Sequence, residues 1–164
     1  GELDEGWQVA ISTLNLERSG IENVGHARRL LEDMVAYARE TVHDGKSLFS
    51  VAQVRSKLAE MAVKIESCRL AAYRVAWLRE QGLNSVYESS LSKLLTSEMW
   101  QQFTNVALQI LGLYGPLESG SRYAPLKGRV EEAYMGSIFE TIYEGTSEIQ
   151  RNIIAQRGLG LPRR

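Results

Sequence analysis

The stretch from Val51 to Val75 constrains the fold more than any other part of the chain. Val51, Val54, Leu58, Met61, Ile65, Cys68, Ala72 and Val75 fall at alternating steps of 3 and 4, the spacing that gathers side chains on one face of an α-helix. A seam sustained over three heptads demands partners of similar length, packed nearly parallel or antiparallel to it. At about 1.5 Å per residue, a helix from Val51 to Glu80 is roughly 45 Å long.

The rest of the chain offers such partners. Gly1 to Gly6 form a lead-in in which Asp4 can cap a helix carrying Trp7, Val9, Ala10, Ile11 and Leu14. That helix runs to about Arg18, where Ser19-Gly20 interrupts it. Val24, Ala27, Leu31, Met34 and Ala38 give a second stripe, broken by His43-Asp44-Gly45-Lys46. After the seam helix, Gln81-Gly82-Leu83-Asn84 supplies a glycine-assisted stop. A fourth helix is predicted from about Ser85 to Leu113, with Leu91, Leu95, Met99, Phe103, Val106 and Ile110 inward. Tyr114-Gly115-Pro116 ends it, and 116–128 is the single long loop, a length that tends to be functional or mobile. Shorter helices follow over about 129–142 and 147–157, and no period-2 strand pattern stands out. The expectation is one all-α domain over 1–164, an up-and-down four-helix bundle with short appended helices.

Charge and residue counts exclude several functions. With 19 Lys and Arg against 20 Asp and Glu, mixed along the chain, there is no basic stripe for nucleic acid. No run approaches 18 apolar residues and no charged-then-apolar leader opens the sequence, so neither a membrane span nor a signal peptide is expected. The lone Cys68 can form no internal disulfide and falls on an apolar face. His26 and His43 have no neighbours at ligand spacing, so no metal site is expected. The class is a soluble, globular, intracellular protein.

Chemistry concentrates in Tyr143-Glu144-Gly145-Thr146-Ser147-Glu148-Ile149-Gln150-Arg151. Ser147 can cap a new helix and Gln150, three residues on, can reach back to it in a capping box. The free N–H groups of such a helix start favour anionic groups nearby. Glu144, on a glycine-containing turn before it, is either a carboxylate facing a pocket or a solvated turn residue. Helical patterning alone goes no further than a bundle, which serves an enzyme and an assembly module equally well.

Together with Gln109-Ile110-Leu111-Gly112, Lys57-Leu58-Ala59-Glu60-Met61-Ala62 and Glu2-Leu3-Asp4-Glu5-Gly6-Trp7, the run from Tyr143 to Arg151 resembles the acyl-CoA dehydrogenase family. The resemblance spans essentially the whole chain and corresponds to the family's C-terminal helical domain; the N-terminal helical and middle β domains are absent from these residues. The family resemblance implies FAD, an acyl-CoA thioester oxidised at Cα–Cβ, transfer of electrons to an electron-transfer flavoprotein, and an oligomer, dimer or tetramer. It also implies a role in fatty acid or lipid metabolism such as β-oxidation, in the bacterial cytoplasm or the mitochondrial matrix. The family's base maps onto Glu144, with Tyr143 and Gly145 lining its pocket and Gly145 admitting the thioester closely. Flavin contacts map onto Thr146 and Glu148, and onto Gln109, Ile110, Leu111, Gly112 and Leu113, which in the family reach a neighbour's FAD. Arg18 matches an arginine near the substrate.

Some members carry the base on an earlier helix instead, where this chain has Glu17; since the YEGT glutamate is present, Glu144 is the assigned base and Glu17 the reserve. Thr41 and Asp44 stand where many members read the arginine and phenylalanine of Arg-x-x-Phe-Gly, Gln53 falls one residue out of place as a flavin contact, and Met135-Gly136 replace an Arg-Asp pair. Losing a bidentate donor from a phosphate site and adding a negative charge weakens it. This points to a hetero-oligomer whose other chain supplies the arginine, to Arg39 taking the role, or to a homo-oligomer that binds flavin weakly. A helical assembly module that has lost catalysis is the alternative from a different class. The long loop with Gly136 and Ser137 suggests room for a bulky acyl group such as a steroid side chain. These 164 residues by themselves are expected to show no dehydrogenase activity.

Overall fold

The computed structural model describes residues 2–162, with the side chains of residues 15–17 outside that set. Its helices are α1 (Gly6–Glu17), α2 (Ile21–Glu40), α3 (Ala52–Glu80), α4 (Val86–Leu111), α5 (Arg129–Glu140) and α6 (Ser147–Ile153), the last running into a π-helical turn at Ile154–Gly158. Four of them, α2 to α5, make the bundle, and side-chain bonds fix their directions. Lys57 reaches Gln109 and Lys64 reaches Gln102, so α3 and α4 run antiparallel. Asn23 bonds Glu140 and Arg129 bonds Asp33, so α2 and α5 run antiparallel too. The expected all-α, up-and-down bundle is what the chain forms. α1 lies outside it, leaving Trp7 and Val9 exposed.

The seam on α3 is the floor of the core. Leu58, Met61, Ile65, Cys68, Ala72, Val75 and Leu78 are buried there. Val24, Ala27, Leu30, Met34 and Ala38 of α2 and Met99, Trp100, Phe103, Val106, Ala107 and Leu111 of α4 close over most of it. Burial pushes the Cys68 thiol up to about 11, the behaviour of an inert core cysteine.

Several local readings needed correction. Asp4 does not cap α1: its backbone is left-handed (φ 69°), and Glu5 holds the cap position without a side-chain bond. Leu30, rather than Leu31, is the deeper side chain on α2, and Val51 is the residue before α3, not part of its buried face. Leu95 is 40% exposed, because α4 turns a row of small polar residues inward instead. One short hairpin exists, Val42–His43 paired with Lys46–Ser47. Asp44 and Gly45 both adopt positive φ (48° and 75°), the Asp-Gly geometry of a tight two-residue hairpin loop.

The long connection from α4 to α5 is folded onto itself. Leu126, Lys127 and Gly128 are all left-handed, and Leu126 packs against the core. A Cβ at Gly128 would lie 2.4 Å from the Ser119 backbone nitrogen, so only glycine fits there.

Candidate active site

Glu144 sits between α5 and α6 with φ 57°, followed by Gly145 at φ 94°. A left-handed conformation costs a non-glycine residue roughly 1–2 kcal/mol, so the surroundings must hold it. They do so through two buried side chains. Lys93 of α4 donates from Nζ to the carbonyls of Glu140 (2.8 Å) and Gly145 (3.1 Å). Gln150 of α6, fully buried, donates from Nε2 to the carbonyls of Glu144 and Gly145, each at 3.0 Å. The Ser147 N–H closes the turn onto the Thr141 carbonyl at 3.1 Å.

The helix start differs from the capping box expected at Ser147. Thr146 is the cap, its hydroxyl accepting from the Ile149 N–H at 3.4 Å, while Ser147 is already helical and buried. Gln150 therefore points back to the turn's carbonyls instead of to a cap N–H. This also explains Gly145: a Cβ there would approach Gln150 Nε2 to 2.7 Å.

Glu144 borders a cavity of about 400 Å³ between the start of α2, the first half of α4 and the end of α5. Tyr143, Glu140, Asn23, His26 and Lys93 border it as well. Glu140 accepts two hydrogen bonds on one oxygen, Oε2, from Asn23 Nδ2 (2.8 Å) and from the Tyr143 hydroxyl (3.0 Å). Burial, and then Glu140, raise the Tyr143 pKa, which keeps the phenol a donor. Arg18 is 8% exposed; burial lowers its pKa and the charge of Glu144 opposes that. Lys93 behaves alike: burial lowers its pKa, Glu144 and then Glu140 oppose it, and its ammonium lies 5.6 Å from the Tyr143 ring centre.

The structure thus brings Glu144 and Tyr143 to one cavity, while Gly145 and Arg18 lie near Glu144 without lining it. The side chain of Glu17 lies outside the described residues. Thr146 and Glu148 line a second cavity of about 490 Å³ beside Glu98 and Arg151. A bond from its own backbone N–H, with Thr146, holds the Glu148 carboxyl below its ordinary range. Gln109 to Leu113 are not part of either cavity: Gln109 lies roughly 24 Å along α4 from Lys93, at about 1.5 Å per residue. There Gln109 is exposed and takes a bond from Lys57, Leu111 is buried, Gly112 turns the chain at φ 61°, and Leu113 is 94% exposed. Among the departures, Asp44 is exposed beside His43, Gln53 is exposed, and Arg39 stacks on the Phe49 ring at 5.0 Å.

Lys93, Glu140 and Asn23 escaped the sequence reading. For Lys93 the signal was Ser89, Ser92, Lys93, Thr96 and Ser97, a polar stripe at helical spacing that periodic apolar counting passes over; Asn23 on α2 and Glu140 on α5 carry no such stripe.

These features define a helical-bundle domain that presents a clamped carboxylate, Glu144, to a cavity at its edge. The chain belongs to the acyl-CoA dehydrogenase family: residues 4–159 match the profile of "Acyl-CoA dehydrogenase, C-terminal domain". It is 31% identical over 157 residues to the caffeyl-CoA reductase-Etf complex subunit CarC of Acetobacterium woodii, covering 94% of this chain and 39% of that protein. It is 34% identical over 157 residues to the human mitochondrial short-chain specific acyl-CoA dehydrogenase, covering 94% and 36%. Among solved structures, the Tcur3481-Tcur3483 steroid ACAD superposes with a TM-score of 0.90 at 30% identity, over 100% of this chain and 42% of the other. The chain spans about two fifths of the length of these relatives. FAD is the cofactor of the family.

Proposed function

We propose that this chain is the C-terminal domain of a flavin-dependent acyl-CoA dehydrogenase and that Glu144 is its base. The observation that carries the reading is the turn itself. A strained carboxylate residue is held at a cavity by a buried lysine and a buried glutamine, beside a buried arginine. Strain of this kind persists where surroundings over-determine it, and such places cluster at working sites.

The α-hydrogen of a thioester is weakly acidic, so its removal needs a carboxylate held within hydrogen-bond reach. Glu144 takes that proton and retains it on its carboxyl. Arg18 and Lys93 place positive charge beside the site where negative charge moves. FAD, when bound, supplies the acceptor for the hydride that leaves Cβ. Thr146 and Glu148 would hold it in this chain; their position on an open cavity edge fits a polar cofactor group. Gln109, Ile110, Leu111, Gly112 and Leu113 would meet a neighbouring subunit's FAD, a role that the exposed Leu113 and Gln109 suit.

CarC is named as a reductase in a complex with Etf, which supports an electron-transfer flavoprotein as the electron partner here. The same carboxyl run in reverse would return a proton to Cα of an enoyl thioester. The steroid ACAD, whose name joins two designations, Tcur3481 and Tcur3483, together with Thr41 and Asp44 favours a hetero-oligomer whose partner chain supplies a phosphate-binding cation. One FAD per chain in the full-length protein expressed alone would contradict the hetero-oligomer. The strained glutamate held at the edge of a cavity supports the catalytic reading over a purely structural assembly module. Setting: relatives come from mitochondria and from bacteria, and among the described residues no helix is long and apolar enough to cross a membrane.

The test uses the full-length protein. Anaerobic mixing with an acyl-CoA should bleach the flavin in the natural protein, and Glu144→Gln should bind flavin but leave it oxidised. Bleaching at the natural rate in the variant would sink the assignment.

A further inference from the structure

The cavity beside Glu144 has two further carboxylates on its wall, and the proposed chemistry uses neither: Glu22, exposed at the start of α2, and Glu140, the more buried of the two. Glu140 is the last residue of α5, half-buried, and it borders the same cavity as Glu144. Its position is fixed from two sides. Asn23 of α2, itself 9% exposed, donates from Nδ2 at 2.8 Å, and the Tyr143 hydroxyl donates at 3.0 Å. Both bonds fall on Oε2. A carboxylate offers about four lone-pair sites across its two oxygens, so an oriented acceptor capacity remains on this wall. Ser97 and His26 border the cavity too, adding hydroxyl and imidazole to the lining.

A plain alkyl chain is a poor occupant of such a space. It would offer no donor to the remaining acceptor capacity of Glu140, and desolvating a carboxylate oxygen without a replacement hydrogen bond is costly. A group that donates a hydrogen bond supplies that replacement. We infer that Glu140, held by Asn23 and Tyr143, is a specificity-determining residue that selects thioesters whose acyl group carries a hydrogen-bond donor, a hydroxyl or an ammonium. The inference rests on the reading of Glu144 as the base of this cavity. It assigns the acyl group's chemistry, which that reading leaves open.

The experiment compares hexanoyl-CoA with 5-hydroxyhexanoyl-, 6-hydroxyhexanoyl- and 6-aminohexanoyl-CoA on the full-length, flavin-loaded enzyme. Dissociation constants are measured on the Glu144→Gln protein, where no turnover intervenes, and kcat/KM on the natural one. A donor-bearing thioester should bind and react at least about tenfold better than hexanoyl-CoA, well inside the discrimination that sites built for a substrate hydroxyl achieve. Glu140→Leu should reduce that preference to within about threefold while hexanoyl-CoA improves or holds. Glu140→Gln separates the two donors: a hydroxyl thioester keeps most of its preference, since an amide oxygen still accepts, whereas an ammonium thioester loses it with the charge. Flavin content and thermal midpoint close to the natural protein's establish that the variants fold. Equal loss on all four thioesters in Glu140→Leu, or a preference for hexanoyl-CoA in the natural enzyme, would overturn the inference. Flavin bleaching by any of them that vanishes in Glu144→Gln leaves the base assignment standing in either case.

Discussion

The two halves of α4 have opposite characters. The C-terminal half buries Met99, Trp100, Phe103, Val106, Ala107 and Leu111, an apolar face locked against α2 and α3. The N-terminal half buries Glu88, Ser89, Ser90, Ser92, Lys93, Thr96 and Ser97. Its hydroxyls are mostly spent locally: Thr96 donates to the Ser92 carbonyl, Ser97 to that of Lys93, and Ser92 to that of Ser19 at 2.6 Å. Small side chains let the link before α2 come close. A Cβ at Gly20, already at φ 65°, would fall 2.2 Å from the Thr96 hydroxyl. One half of the helix supplies stability by apolar burial; the other buries polar side chains instead and brings Arg18, Lys93 and Glu144 together.

If that division holds, substitutions in the two halves should fail differently. The largest effect is expected outside both, at the group they serve: Glu144→Gln should lower turnover by roughly 10²–10⁴-fold, the worth of a positioned base, with the thermal midpoint nearly unchanged. Lys93→Met comes next. It leaves two carbonyls of the turn without their donor, so stability should fall by about 1–3 kcal/mol, and turnover should drop by more than the folded fraction accounts for. Lys93→Arg restoring stability but not turnover would sharpen the point, because a longer cation cannot hold the turn in the same place. Phe103→Ala should do the reverse: a loss of about 3–5 kcal/mol in stability, with the surviving folded enzyme turning over within about twofold of normal. Thr146→Val is the mildest, removing one helix cap at about 1 kcal/mol; a fall in flavin content beyond that would support Thr146 as a flavin contact.

The apolar half was readable because it obeys one period. Met99, Phe103 and Val106 step by 4 and 3 on a helix whose partners step likewise, so composition and spacing converge on a bundle. The polar half breaks that rule. Leu91 and Leu95 continue the apolar steps, yet Leu95 is 40% exposed, while Ser92 and Thr96 are the residues that meet the Ser19-Gly20 link. Partners of a buried polar residue are set by tertiary contact, which periodicity does not encode. Glu144 was legible through the motif around it, whereas the clamp of Lys93 and Gln150 was not, since each acts on backbone carbonyls that any sequence would provide. The same holds for Thr146: choosing it over Ser147 as cap depends on the backbone angles of the turn.

The most direct test of Glu144 as the base isolates proton abstraction from the redox step. Acetyl-CoA has a Cα but no Cβ, so it can lose an α-proton without losing a hydride. Full-length oxidised enzyme would be incubated with acetyl-CoA in D₂O and deuterium at Cα followed by NMR. Uptake in the natural protein and none above the buffer rate in Glu144→Gln is the expected result. Uptake at the natural rate in the variant would contradict the account, and Glu17 would then be the residue to substitute.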